Sequence, residues 1–255
     1  MDSQLKMVSI GYVAENKTLK SRRVNCFAVE DAAALDGEAT FNPQEQTLQG
    51  TDSTGKQYDV KATQDASYDC EWFPGASNRV TPPDVRRGEL VEIWRLGETD
   101  QYYWKCMGLR DNLRVLETVI YAFNASPVEG GKGVDITKCY FVEFSAHNKS
   151  ITLGTSKANG EPFGYTMQFN TGEGAWFIQD DVGNTFELDS SDNRLQMINA
   201  DGSFVKVERK VVDIKGDEMI RLTSGDSVLT LKPGTATLKS AVNKFIAGLV
   251  QFVKG

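Results

Sequence analysis

From Tyr140 to Gly255, turn-forming residues break the chain about every 8–12 residues, and that rhythm limits the fold more than any other feature. The breaks are Asn159-Gly160, Gly172 to Gly174, Gly183-Asn184, Ser190 to Asn193, Asp201-Gly202, Gly216-Asp217, Gly225-Asp226 and Pro233-Gly234. Between them lie fragments with apolar side chains at every second position: Tyr165/Met167/Phe169, Phe186/Leu188, Val205/Val207, Val212/Ile214, Ile220/Leu222 and Leu229/Leu231. Alternation over so short a span is the pattern of a half-buried strand. Burying a side chain yields roughly 1.5–3 kcal/mol, whereas ordering the backbone costs about 1–2 kcal/mol for every residue. Stacked strands overcome that cost only if each apolar face meets another. The sequence offers no helical layer, so the expected partner is further copies of the same chain wrapped into a common β-prism. The expected product is a rigid, oligomeric rod.

The first 108 residues read differently. Apolar fragments at Met7 to Val13, Val24 to Val29, Tyr58 to Ala62, Leu90 to Leu96 and Tyr102 to Met107 are separated by loops such as Leu35-Asp36-Gly37 and Asp52-Ser53-Thr54-Gly55. Five or six strands in so short a stretch suit a small closed barrel of the OB type. Leu109, Leu113, Leu116, Ile120 and Phe123 then fall at helical spacing, which predicts a short helix, although Thr118 to Tyr121 also suits a strand. Asn124 to Gly133, with Pro127 and three glycines, reads as a linker. The expected organisation is an all-β chain: an OB-fold domain at 1–108, a neck at 109–139, and an intertwined β-helix at 140–255.

Several functional classes find little support. Net charge is −7, and residues 1 to 108 carry 12 Lys+Arg against 17 Asp+Glu, so an acidic barrel repels nucleic acid. Trp72, Trp94, Tyr102, Tyr103 and Trp104, near Arg86 and Arg87, are therefore expected to pack in a core or an interface rather than stack bases. Cys26, Cys70, Cys106 and Cys139 are widely spaced, without a C-x-x-C pair. They read as structural thiols, with interchain disulfides as the alternative. His147 is the only histidine, which excludes a histidine cluster and points to a surface or strand-edge position. Asp180-Asp181 and Asp217-Glu218 sit at turns without a cleft and read as solvated turn residues, not a catalytic pair. No catalytic residue, cofactor or metal is expected. Nothing approaches 18 consecutive apolar residues, and Met1 to Lys6 lacks the pattern of a secretory leader, so synthesis in a cytoplasm is expected.

Two blocks carry a resemblance. Pro83-Asp84-Val85-Arg86-Arg87-Gly88-Glu89 runs through Tyr102-Tyr103-Trp104 into Asn112 to Phe123; Asp181-Val182-Gly183-Asn184 runs to Leu188-Asp189-Ser190, followed by Asn199 to Val205. In this order the chain resembles the central, cell-puncturing spike proteins of contractile phage tail baseplates, which are related to type VI secretion spikes. The resemblance implies a homotrimer in the virion baseplate, made in the host cytoplasm. Its OB domains would dock under a tail hub protein, and its C-terminal strands would form a triple-stranded β-helix that contraction drives through the host outer membrane. Some family members hold a tip metal with His-x-His pairs, but the last hundred residues here contain no histidine. Others carry a lysozyme domain, for which 109–139 is too short.

The C-terminal end is apolar. Phe245, Ile246, Leu249, Val250, Phe252 and Val253, flanked by Lys244 and Lys254, are the expected contacts with the envelope or a tip partner. This end either seals itself by packing or seats a separate cone-shaped tip protein. From Lys232 onward the chain carries four lysines and no acid. Those charges favour anionic envelope phosphates or an acidic partner, and equally they keep a β-edge soluble. The rival reading is a receptor- or polysaccharide-binding tail fibre, for which only Trp176 and Tyr165 offer aromatic shelves.

Overall fold

The computed structural model describes residues 4–32, 44–64, 66–75, 78–107, 116–128 and 134–243. The chain is all-β, and it divides into two units, Met1–Glu161 and Pro162–Gly255.

In the first unit, seven strands form a barrel and a separate hairpin: β1 (Leu5–Val13), β2 (Arg23–Ala28), β3 (Gln44–Thr51), β4 (Gln57–Gln64), β5 (Tyr68–Trp72), β6 (Leu90–Leu96) and β7 (Tyr102–Cys106). The barrel closes in the order β1-β2-β5-β7-β6, with β6 returning to β1. Only the β5–β7 pair is parallel. Its interior is the alternate residues of each strand: Val13, Val24, Cys26, Cys70, Trp72, Val91, Ile93 and Trp104, with Val85 entering from the loop before β6. Trp104 is wholly enclosed, and its indole N–H donates to the Arg22 carbonyl at 3.0 Å, so its one polar atom is satisfied. Gly11 lets β1 approach this core, because a Cβ there would lie 2.5 Å from Ile93 Cδ1 and 2.7 Å from the Phe27 carbonyl oxygen.

Two sequence expectations are corrected here. Tyr58 to Ala62 is not a barrel strand; it lies in β4, which pairs with β3 outside the barrel and sets Leu48 against Val60. The barrel uses β5 instead, where Asp69 and Glu71 on the outer face hide the inward Tyr68, Cys70 and Trp72.

The neck expectation also changes. Thr118–Asn124 is a strand, β8, not a helix. β-Branched Thr118, Val119 and Ile120 favour extended backbone over the helical spacing of Leu116, Ile120 and Phe123. Leu109 and Leu113 lie outside the described residues. β8 pairs with β9 (Cys139–Ser145), which pairs with β10 (Ser150–Gly154), all antiparallel. Residues 78–81 run along the free side of β8: Val80 donates to the Ile120 carbonyl at 2.8 Å and Ala122 donates to the Asn78 carbonyl at 2.9 Å. At the end of β10, Gly154 leaves space for the Phe141 ring, whose Cε1 would lie 2.2 Å from an added Cβ.

The second unit is a meander. Six short strands, β11 (Tyr165–Asn170), β12 (Ala175–Asp180), β13 (Thr185–Asp189), β14 (Arg194–Ile198), β15 (Phe204–Glu208) and β16 (Val211–Lys215), each pair antiparallel with the next. A second sheet follows, with β17 (Ile220–Ser224), β18 (Ser227–Lys232) and β19 (Thr235–Lys239). Every tight turn closing these hairpins contains a left-handed residue: Gly174, Gly183, Asn193, Gly202, Arg209, Gly225 or Gly234. The right-handed twist of paired strands demands such turns. Most of them coincide with breaks read from the sequence; Arg209 is the one that carries no turn signature.

The barrel yields a direct stability test. Trp104→Ala removes the largest enclosed side chain and should lower stability against urea by about 3–5 kcal/mol. Gly11→Ala should cost about 1–3 kcal/mol by overpacking against a backbone oxygen. A loss under about 0.5 kcal/mol for both would contradict the described core.

Candidate functional site, an uncovered apolar sheet face

Strand parity and register place the apolar side chains of the second unit on one side. Opposed residues in an antiparallel ladder share a face. One row across β11 to β16 reads Met167, Ile178, Phe186, Met197, Val205, Ile214; the row beside it reads Phe169, Trp176, Leu188, Leu195, Val207, Val212. All twelve positions are apolar. In the second sheet the same arrangement gives Ile220, Leu231, Ala236 and Leu222, Leu229, Leu238. In the first unit, β8 to β10 give Val119, Phe144, Ile151 and Tyr121, Val142, Leu153.

These faces are uncovered in the single chain. No residue from 157 to 243 is buried, whereas the barrel encloses seven side chains almost completely. Met197 is 52% exposed, Val212 64% and Leu222 55%. Trp176 stacks on Phe169 at 5.4 Å and meets Phe186 edge-on at 5.5 Å, so local aromatic contacts cover part of the face. Covering the remainder would add about 1 kcal/mol per side chain, roughly 10 kcal/mol over the twelve-residue face. That matches the whole stability of an ordinary domain, about 5–15 kcal/mol. An apolar surface of this extent marks an interaction site.

The opposite face is mixed: it carries Phe177, Ile198 and Phe204, but its centre is charged and cross-linked. Arg194 pairs with Glu187 at 3.1 Å, Asp189 at 2.9 Å and Asp192 at 3.0 Å. Lys206 pairs with Glu208 at 3.0 Å and Asp213 at 3.5 Å. The Arg194 guanidinium is pushed to a higher pKa, first by its hydrogen bond to Glu187; Lys206 is pushed up by its bond to Glu208. This charged network suits water, and it sets the face apart from the twelve apolar positions on the other side.

Residues singled out from the sequence fall into place on this frame. The terminal set Lys244, Phe245, Ile246, Leu249, Val250, Phe252, Val253 and Lys254 lies outside the described residues. Asp180 serves its turn: its Oδ1 accepts from the amides of Val182, Gly183 and Asn184 at 3.1, 2.9 and 2.8 Å, and its carboxyl is held below the usual range, first by the Asn184 side chain. Asp181 accepts from the Gly164 amide, and Asp217 pairs with Lys215 at 3.2 Å. Trp72 and Trp104 are in the barrel core, and Arg22 lies over the Trp72 ring at 4.9 Å. Trp94 donates to Glu92 at 2.9 Å, and Tyr102 packs on Tyr68 at 4.6 Å. Arg86 pairs with Asp84 at 3.1 Å. Cys26 and Cys70 are enclosed free thiols, and contact with Cys26 together with burial pushes the Cys70 thiol up.

Sequence reading missed one polar cluster because its members are far apart along the chain. Buried Lys17 lies 3.6 Å from Asp84 Oδ1, while His147 Nε2 lies 4.0 Å from Oδ2. His147 Nδ1 is 3.1 Å from Thr118 Oγ1, which is 2.7 Å from Ser145 Oγ. Burial lowers the Lys17 pKa, and Asp84 opposes that shift. Lys17, Asp84, Thr118 and His147 border a cavity of about 250 Å³. Their mutual pairing ties the loop after β1 to β8 and the β9–β10 turn. It acts as a lock between the barrel and the β8–β10 sheet. Among the described residues, no group of three or more His, Cys, Asp or Glu side chains is arranged to hold a metal ion, and no helix is long and apolar enough to cross a membrane.

No family model matches this chain, and none of the curated proteins compared with it does.

The two sheet faces make opposite predictions. Leu188→Asp places a charge between Trp176 and Leu195 and should lower the melting temperature by roughly 10 °C or more, the effect of a few kcal/mol. Gln179→Glu, on the polar face, should change it by less than about 2 °C. Equal, small shifts would mean that the apolar face stays in water.

Proposed function

We propose that this chain is the central spike of a contractile injection apparatus, a homotrimer whose work is mechanical and whose action needs no catalysis. The observation that carries this reading is the pair of six-membered apolar rows on a unit in which none of the described residues is buried. Such a face requires a partner, and the partner with matching dimensions is the same face on other copies. Strands of five or six residues are about 17–20 Å wide. Three sheets of that width set as a triangular prism leave their axis about 5–6 Å from each sheet, one layer of side chains and half the usual ~10 Å face-to-face spacing. The prism therefore closes without a void.

The barrel supports the other half of the reading. Its five strands, counted without the β3–β4 hairpin, run in the order 1-2-3-5-4 with the third and fifth parallel. This is the path expected of an OB-type Greek-key barrel, and in the proposed assembly it docks beneath the tail hub. In the proposed assembly the apolar residues of the C-terminal end contact the outer membrane or a tip protein. Ladder hydrogen bonds and a dry interior shared by three chains resist local unravelling, and sheath contraction supplies the force. A polysaccharide-binding fibre would instead use Trp176 as an open shelf, whereas here its ring is stacked on Phe169 and meets Phe186 edge-on.

Antibody labelling of tailed particles from cells that make this chain tests the assignment. Gold should mark the centre of the baseplate, at the distal end of the tube. Labelling of peripheral fibres, or of no part of the particle, would overturn it.

A further inference from the structure

The link between the two sheets of the second unit is the only connection among β11 to β19 that does not make a hairpin. Gly216 to Met219 joins β16 to β17, yet these strands do not pair. Length is not the reason, since residues 171–174, 181–184 and 190–193 are also four-residue links and each closes a hairpin. Backbone conformation is the reason: no residue from 216 to 219 is left-handed, whereas every hairpin turn around it contains one. Gly216 is required for a close approach instead, because a Cβ there would lie 2.9 Å from the Met219 carbonyl oxygen.

Two complementary edges result. β16 closes one sheet and β17 opens the other, and each is five residues long. Aligned antiparallel with Asp213 opposite Arg221, they set Val212 against Leu222 and Ile214 against Ile220. That register extends both apolar rows without interruption and pairs opposite charges on the polar face. A slip by one residue would set Val212 against Arg221 and reverse every side chain of the incoming strand. The break also leaves a crevice of about 480 Å³ bordered by Met197, Phe204, Val205, Ile214, Met219 and Ile220, which offers room for side chains of an incoming strand.

We propose that β16 of one chain pairs with β17 of a neighbouring copy, so that the small sheet of each protomer completes the apolar face of the next. This inference rests on the self-association proposed above and names where the chains interlock.

The test is a full-length chain carrying both Asp213→Cys and Arg221→Cys, with Val211→Cys plus Thr223→Cys as a second pair in the same register. Each is sized by gel filtration, oxidised, then boiled and run unreduced beside the unsubstituted chain. Bands of two and three linked chains, absent from the control and lost on reduction, are expected. In a sample that elutes as an assembly, a disulfide closed within one chain would overturn the exchange and leave the assembly standing, and no disulfide in either pair would do the same. A chain that elutes alone before oxidation would overturn the exchange and the self-association together.

Discussion

Side-chain alternation is the constraint from which the second unit follows. A strand of five residues presents two or three side chains to each face, and here two adjacent rows of one face receive only apolar ones. Because each strand pairs with the next in a register that keeps parity, the pairs add into rows: Phe186 beside Ile178 and Met197, Leu188 beside Trp176 and Leu195. A single layer of this kind has no interior of its own. The barrel shows what the same chain does when a sheet closes on itself, enclosing Trp104, Ile93 and Val91. The meander is open, so its interior has to come from elsewhere.

The polar face makes the arrangement directional. Arg194 and Lys206 hold five carboxylates between them, so burying this network would cost hydration even though Phe177, Ile198 and Phe204 share its side of the sheet. Exposed ion pairs of this kind contribute little stability individually; they specify which side meets water. In the first unit the buried Lys17–Asp84 pair and the His147–Thr118–Ser145 chain do a different job, fastening the loop after β1 to the β8–β10 sheet.

Much of this was legible in the sequence, for identifiable reasons. Turn signatures work because a left-handed backbone is selective for Gly and Asn, and Gly174, Gly183, Asn193 and Gly202 stand at the breaks they announce. Arg209 adopts the same conformation without such a signature, so the β15–β16 turn was silent. β12 and β14 were hidden although Trp176/Ile178 and Leu195/Met197 alternate as clearly as their neighbours. β5 was masked by Asp69 and Glu71, which point outward from a strand otherwise in the core. The helical spacing through Leu116, Ile120 and Phe123 misled because spacing alone cannot tell a helix from a strand when the residues between are β-branched. The Lys17–Asp84–His147 cluster could not be read at all, since only the fold brings those residues together. The apolar face was legible as fragments; its continuity depended on the registers.

The central claim is that the apolar rows of the second unit are buried by other copies of the same chain. Sedimentation equilibrium of the intact protein across a hundredfold range of concentration tests it most directly. The account predicts one species of roughly 85 kDa, three chains of 28.2 kDa. A species that stays at 28.2 kDa, folded through 243 with Met197, Val212 and Leu222 in water, would contradict it.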